Sequence, residues 1–385
     1  MKKFPDEFMW GAATSSHQVE GGQDNNWTEW EKSGHVRNKE QSGLAADHWH
    51  KWPEDLDILK SLNLDTYRFS IEWSRVEPVQ GKYDDKALDH YIQVLKGLKD
   101  RGIRPQVTLH HFTDPKWLKD WTHEENVEHF ANYCKYVVNR LGQYVEWWCT
   151  INEPVILATM AYNLGLWPPG KRGLRSHLKA QKNTLKAHSR DYDVIHAIYS
   201  HKDLPKPYVS VAVNLHCYYS NKNPINMLIA KVAKYFTNTY NLNKIKGKLD
   251  YIGVNFYFSH KVSILALNKL TSIKHTGTDL PKTDMGWDIY PAGLYEVLKP
   301  LKKYSLPIIV TENGIADAND DKRSAFIQDH LRAIHRSIRD GVNVIGYFHW
   351  SLLDNFEWHE GYYPRFGLVE IDYKTQKRTI RNSAK

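Results

Sequence analysis

The amino-acid sequence predicts an α/β protein: a single (β/α)8 TIM barrel over residues 1–385, with its active site at the carboxyl ends of the strands. Three observations carry that expectation. Eight short apolar runs alternate with amphipathic stretches of helical spacing, the pattern of parallel strands joined by right-handed crossovers. The polar and aromatic residues suited to ligand contact follow these runs. No linker, low-complexity tract or short-period repeat divides the chain, so one unit is the economical reading despite a length that would suggest two or three domains.

Phe8 to Ala13 is the first strand, and it empties into Thr14-Ser15-Ser16-His17-Gln18-Val19-Glu20-Gly21-Gly22, a polar tip where a ligand would be touched. Ala46 to Leu62 has apolar residues at helical spacing, among them Trp49, Trp52, Leu56 and Leu59. Thr66 to Ile71 is the second strand. Arg68 inside it needs an acidic partner, whether as a structural ion pair or as part of a site. Asp84 to Asp100 is an amphipathic helix, and the third strand, Ile103 to Leu109, ends at His110-His111-Phe112. No His-Glu-x-x-His spacing accompanies that pair, so no metal is expected, and a neutral imidazole bonding a hydroxyl fits a strand tip better.

A helix from Glu124 to Leu141 delivers the chain to the apolar run Tyr144 to Ile151, the fourth strand. Pro154 has no N–H for a sheet and suits the first turn of a helix, so the strand stops at Glu153 and a helix runs to about Tyr162. A loop at Gly165 to Gly170 and a helix from Ser176 to Ser200 follow. The fifth strand is Tyr208 to Leu215, with Asn214 near its end. Asn223 to Lys246 reads as a helix with an irregular start, and Leu249 to Phe256 as the sixth strand, ending in Asn255-Phe256-Tyr257. Ser259 to Lys282 reads as a hairpin or lid ahead of Met285-Gly286-Trp287. Helices at Pro291 to Tyr304 and Asp321 to Asp340 flank the seventh strand, which starts at Leu306 and ends in Thr311-Glu312-Asn313-Gly314. The last strand, Val342 to Phe348, leads to Trp350 and Asn355-Phe356-Glu357-Trp358.

Two of these strands end in a carboxylate beside an asparagine, Asn152-Glu153 and Glu312-Asn313. Either acid alone could be the polar end of a strand. A rigid sheet can hold both facing each other, which chemistry at an acetal carbon requires: one carboxyl protonated to donate to the leaving oxygen, the other ionised to meet the positive charge growing at carbon. The residues alone do not say which acid does which.

Composition narrows the partners. The net charge is +8, from 52 Lys and Arg against 44 Asp and Glu. The basic residues are scattered, without a stripe of interleaved aromatics, so no nucleic-acid partner is expected. No apolar run approaches the roughly 20 residues that span a bilayer, and no secretory h-region follows the basic amino terminus, so no membrane partner is expected either. Three widely spaced cysteines, Cys134, Cys149 and Cys217, suit a reducing cytoplasm. The 14 Trp and 23 Tyr suit sugar stacking or core packing.

With those residues in view, the chain resembles glycoside hydrolase family 1, the β-glucosidase and β-galactosidase family. Residues 8–21 are similar to its amino-terminal signature, 150–154 and 311–314 to its two catalytic motifs, and 355–361 with Arg365-Phe366-Gly367 to its carboxyl-terminal pattern. The likeness runs from residue 4 to about 379. It implies a retaining, two-step displacement on unphosphorylated β-glucosides, with galactosides and fucosides as further substrates and no cofactor. It further implies Glu153 as general acid/base and Glu312 as nucleophile, with Arg68 and Tyr257 holding Glu312. Retention calls for carboxyls roughly 5 to 5.5 Å apart. Substrate contact falls by the same resemblance to Gln18, His111, Asn152, Asn255, Trp287, Trp350, Glu357, Trp358 and Phe366. Relatives acting on 6-phosphorylated sugars generally carry serine where this chain has Glu357, a carboxylate that would repel phosphate. The partners implied are small β-glycosides and oligosaccharides; oligomeric state is open. Two other readings stand beside this one: a sugar-binding protein on the same barrel with little turnover, and an enzyme that mainly transfers to another sugar. The stretch from Glu153 to Asn255 is shorter than is usual in the family, Trp167-Pro168-Pro169-Gly170 is an unusual form of its loop, and Phe112 stands where tryptophan is common. These departures imply a more open entrance.

Overall fold

Eight strands pair in parallel in chain order and the ring closes between the first and last. They are β1 (Met9–Ala13), β2 (Thr66–Ser70), β3 (Arg104–His110), β4 (Trp147–Asn152), β5 (Tyr208–Asn214), β6 (Ile252–Asn255), β7 (Ile308–Asn313) and β8 (Val344–Trp350). This computed structural model describes residues 3–220, 223–262 and 279–385. Every residue of β2, β4, β6 and β7 is buried, as strands covered by side chains within and helices without should be.

The ring is filled. Met9, Trp147, Tyr251, Ile309 and Phe348 come from different sides of the barrel and can meet only inside it. Gly11 makes room for this layer, since a Cβ there would stand 2.7 Å from the Phe348 ring and 2.6 Å from the Thr66 carbonyl oxygen. At the catalytic end Gly314 allows β7 to leave against β8, where a Cβ would lie 1.7 Å from the Trp350 carbonyl oxygen. The preceding Asn313 is fully buried, its amide donating to the Phe256 carbonyl at 2.6 Å.

The expected helices form with small shifts at their ends: His48–Ser61, Asp85–Asp100, Asn126–Leu141, Pro154–Tyr162, Leu174–His201, Pro291–Leu298 with a 3₁₀ turn to Tyr304, and Arg323–Arg339. Pro154 occupies the first turn of its helix. The stretch 223–246 differs from expectation. Its start is regular, because the Asn223 side chain accepts from the Ile225 and Asn226 amides, and the irregularity is a π turn at Tyr235–Thr239 between Pro224–Lys234 and Tyr240–Ile245. β4 begins later than the apolar run suggested, since Gly142–Tyr144 is a 3₁₀ turn.

Of the expected hairpin or lid at 259–282, residues 263–278 lie outside the described ones; Ser259–Val262 pairs in parallel with Cys217–Ser220 above the tips of β5 and β6. The sequence reading also lacked the antiparallel hairpin Val369–Asp372 with Lys377–Ile380, which ties the end of the chain to its beginning. Arg378 donates to both carboxylate oxygens of buried Asp55 at 2.9 and 3.1 Å, and Arg381 and Arg365 donate to Asp354 at 2.9 and 3.2 Å. Cys134, Cys149 and Cys217 are free and buried. No described helix is long and apolar enough to cross a membrane.

Candidate active site

The carboxyl ends of the strands converge on two acids. Glu153 follows β4 with φ 43°, a left-handed conformation uncommon for a residue with a side chain and concentrated at functional sites. Register shifts sit just before both acids. Between Cys149 and Asn152 three steps of β4 stand against two of β5, and between Val310 and Glu312 two steps of β7 stand against one of β6. Such irregularities re-aim the side chains that follow.

Glu312 is buried and held by two donors. Arg68 forms an ion pair with Oε1, and the Tyr257 hydroxyl donates to Oε2 at 2.6 Å. Glu312 is thus the acidic partner that a buried arginine on β2 required. Arg68 also donates from Nε to Thr108 Oγ1 at 3.2 Å and from Nη2 to Asn152 Oδ1 at 2.7 Å, so its fork is fixed on three sides. Burial, with the Glu312 charge next, raises the Tyr257 phenol well above its usual range and keeps its proton in place.

Among the described residues Glu153 has amide hydrogen-bond partners and no ion pair; the Arg68 charge acts on it only from a distance. Asn214 and Asn255 each donate to Oε1 at 2.8 Å. Burial, and after it the charge of Glu312, push the Glu153 carboxyl up to about 8 against those two hydrogen bonds. The acids are therefore unlike: one faces a guanidinium and a phenol, while the other sits in a site that favours its protonated form. Asn255 also donates to Asn152 Oδ1 at 3.2 Å and accepts from Thr311 at 2.7 Å, so a chain of hydrogen bonds runs from Glu153 through Asn255, Asn152 and Arg68 to Glu312.

Asn152 Nδ2 lies 3.2 Å from His111 Nε2. Burial, then the charges of Arg68 and His110, hold the His111 imidazole well below its ordinary range, so the ring is neutral. It stacks on Trp350, centroids 5.7 Å apart and 17° between planes. Gln18 donates to Glu357 Oε2 at 3.2 Å, and Asn355 donates to the same oxygen at 2.8 Å. Burial, and more weakly the Glu312 charge, raise the Glu357 carboxyl to about 7. Trp358 is buried between His17, Trp27 and Trp167, which is packing as much as presentation. Phe366 is buried beneath Trp287 and Tyr257, and Trp287 is half-buried against Tyr257 and Phe258.

All thirteen residues singled out in the sequence fall at this end of the barrel or in the loops above it. Direct hydrogen bonds or ion pairs join Glu312 to Arg68 and Tyr257, Glu153 to Asn255, His111 to Asn152, and Gln18 to Glu357. Asn214, near the end of β5, has no site role in the sequence pattern; its bond to Glu153 adds it to the site. Among the described residues no group of three or more His, Cys, Asp or Glu could hold a metal.

A parallel barrel carrying two unlike carboxyls at its carboxyl-terminal end, surrounded by amides, a neutral imidazole and indoles, defines a glycosidase of the barrel class. Comparison with known proteins narrows the class. The chain belongs to glycosyl hydrolase family 1, whose model matches residues 1–243 and 221–385. It is 34% identical to β-glucosidase A of Thermotoga maritima, covering 100% of this chain and 96% of that protein. The solved T. maritima β-glucosidase in complex with glucoimidazole superposes with a TM-score of 0.91 at 31% identity, over 100% of this chain and 97% of that one. A β-glycosidase from Pyrococcus horikoshii gives 0.90 at 37% identity, over 99% and 93%.

Proposed function

We propose that the protein is a retaining β-glycosidase that hydrolyses terminal, non-reducing, unphosphorylated β-D-glucosides, with β-D-galactosides and fucosides as further substrates. The observation that carries this reading is the asymmetry of the two acids. Glu312, against Arg68 and Tyr257, is the nucleophile; Glu153, with its carboxyl raised to about 8, is the acid that protonates the leaving oxygen. Formation of the glycosyl ester removes the Glu312 charge, which lowers the proton affinity of Glu153 and lets it act as base toward water. Asn152 faces the sugar 2-hydroxyl, whose hydrogen bond strengthens in the transition state. Gln18, His111, Glu357 and Trp358 grip the remaining hydroxyls, Trp350 is the floor, and Trp287 with Phe366 shapes the leaving-group side; Asn255, expected from the sequence to touch the sugar, is fully buried with its amide on Glu153 and Asn152 and its carbonyl accepting from Thr311, and so positions them instead. Glu357 favours sugars without a 6-phosphate, because its carboxyl, raised to about 7 by burial and so ionised in part at neutral pH, repels a phosphate dianion and offers it no cation. The relatives named β-glucosidase support the sugar, and the glucoimidazole held by the T. maritima enzyme supports a small sugar-like ligand. We read residues 1–385 as one domain acting in the cytoplasm, where three free thiols are at home.

Incubation with a panel of aryl β-glycosides, followed by proton NMR of the first sugar released, tests this. Prompt phenol release with the β-anomer formed first is expected. First release of the α-anomer would overturn retention, and tight binding without release would favour a sugar-binding protein.

A further inference from the structure

The helix Pro224–Lys234 and the π turn after it are built inside out. The side turned to the protein carries Asn226 and Ala230, both buried, while Ile225, Met227, Leu228, Val232, Tyr235 and Phe236 are between 47% and 62% exposed. Positions 225, 228, 232 and 235 recur at helical spacing and form one stripe, widened by Met227 and Phe236. No other stretch of twelve described residues exposes more than two large apolar side chains. The helix packs on Cys217–Ser220, which continues from the tip of β5 close to Asn214, so the stripe begins at the catalytic end of the barrel.

Charge says what fits this face. From Leu204 to Leu249 the chain has seven lysines and no Asp or Glu. Lys231 and Lys234 lie on the helix itself and Lys244 and Lys246 follow it, whereas Lys206 and Lys248 pair with Asp250 and Asp193. The helix that bears the apolar stripe is therefore basic and has no acid of its own. A second copy of the same face would bring like charges together. An anionic lipid surface offers both complements, acyl chains for the stripe and headgroup charge for the lysines.

We propose that this helix is a docking face for anionic membranes, which seats the barrel on a lipid surface with its catalytic end beside the bilayer. The absence of a spanning run, from which no membrane partner was expected, does not bear on this mode, since a helix lying in the interface needs no such length. Co-sedimentation of the full-length protein with vesicles of phosphatidylcholine, alone or mixed with phosphatidylglycerol, is the test. Partition onto the anionic vesicles about tenfold stronger than onto neutral ones, and weakened by salt, is expected. The double variant Leu228→Glu/Phe236→Glu loses that binding while keeping wild-type thermal unfolding, because both side chains are exposed. Lys231→Glu/Lys234→Glu loses the salt-sensitive part. No binding to anionic vesicles, or equal binding to neutral ones, overturns the proposal. So does a dimer, detected by ultracentrifugation, that Leu228→Glu/Phe236→Glu dissociates: the face would then belong to a second copy.

Discussion

Glu153 and Glu312 share a strand-end platform but not an electrostatic environment, and the difference can be read out by pH. If Glu153 is the proton donor we propose, its titration near 8 makes kcat/KM fall as pH rises through about 8. Since the Glu312 charge is one cause of the rise, Glu312→Gln should move the Glu153 titration down, which carbon-NMR of labelled carboxyls would follow. The same shift acts against the fold. A carboxyl that titrates near 8 when folded and near 4.5 when unfolded keeps its proton longer in the native state, so stability fades as pH rises between these values. Glu153→Gln should thus raise the unfolding temperature relative to wild type at about pH 9 but not at about pH 4. On the proposed roles, Glu312→Gly lowers turnover of natural substrates on the order of 10⁴-fold or more. Glu153→Ala harms poor leaving groups far more than activated ones, as a leaving-group series would reveal. These two acids were legible in the sequence because each closes an apolar run beside an asparagine. Asn214 was not, because an amide near a strand end carries no mark of a partner 61 residues away.

At the scale of elements, the eight strands could be read because parallel strands buried on both faces make apolar runs between amphipathic helices. Their ends were less visible. Val145 prolongs the run ahead of β4 and is buried, yet it follows a 3₁₀ turn, since burial and ladder pairing are separate demands. The register shifts before Glu153 and Glu312 left no trace in composition, because they depend on pairing between strands distant in sequence. The exit of β7 gives a sharp test. Gly314→Ala places a methyl against the Trp350 carbonyl oxygen, a backbone atom with no rotamer to yield, and should cost about 3 kcal/mol or more in urea unfolding. The same variant should lose activity, because Glu312 lies two residues upstream.

At the scale of the molecule, the carboxyl-terminal hairpin locks the ring by buried ion pairs. Arg378 and Asp55 are each almost wholly buried and 323 residues apart. Arg378→Met would leave the Asp55 carboxylate without its guanidinium, with His48 as its remaining side-chain partner, and should cost about 3 to 5 kcal/mol, measurable as a lower denaturant midpoint. The pattern Val369-Glu370-Ile371-Asp372 alternates buried and exposed as a half-buried strand should, but four residues are too short a signal to predict a hairpin.

The buried pair Asn313-Gly314 has a further consequence on the timescale of the protein's working life. Asparagine before glycine loses ammonia readily when the glycine nitrogen can attack the side-chain carbonyl, and the cyclic imide then opens to aspartate or its isomer. In the folded barrel Phe256 holds the asparagine amide and Trp350 crowds the glycine, so the ring cannot close. Heat that opens the barrel frees both, and the new acid would sit next to Glu312 when the chain tried to refold. Thermal inactivation should therefore become irreversible in step with deamidation at Asn313, traceable by peptide mass spectrometry, and Asn313→Asp should be impaired before any heating.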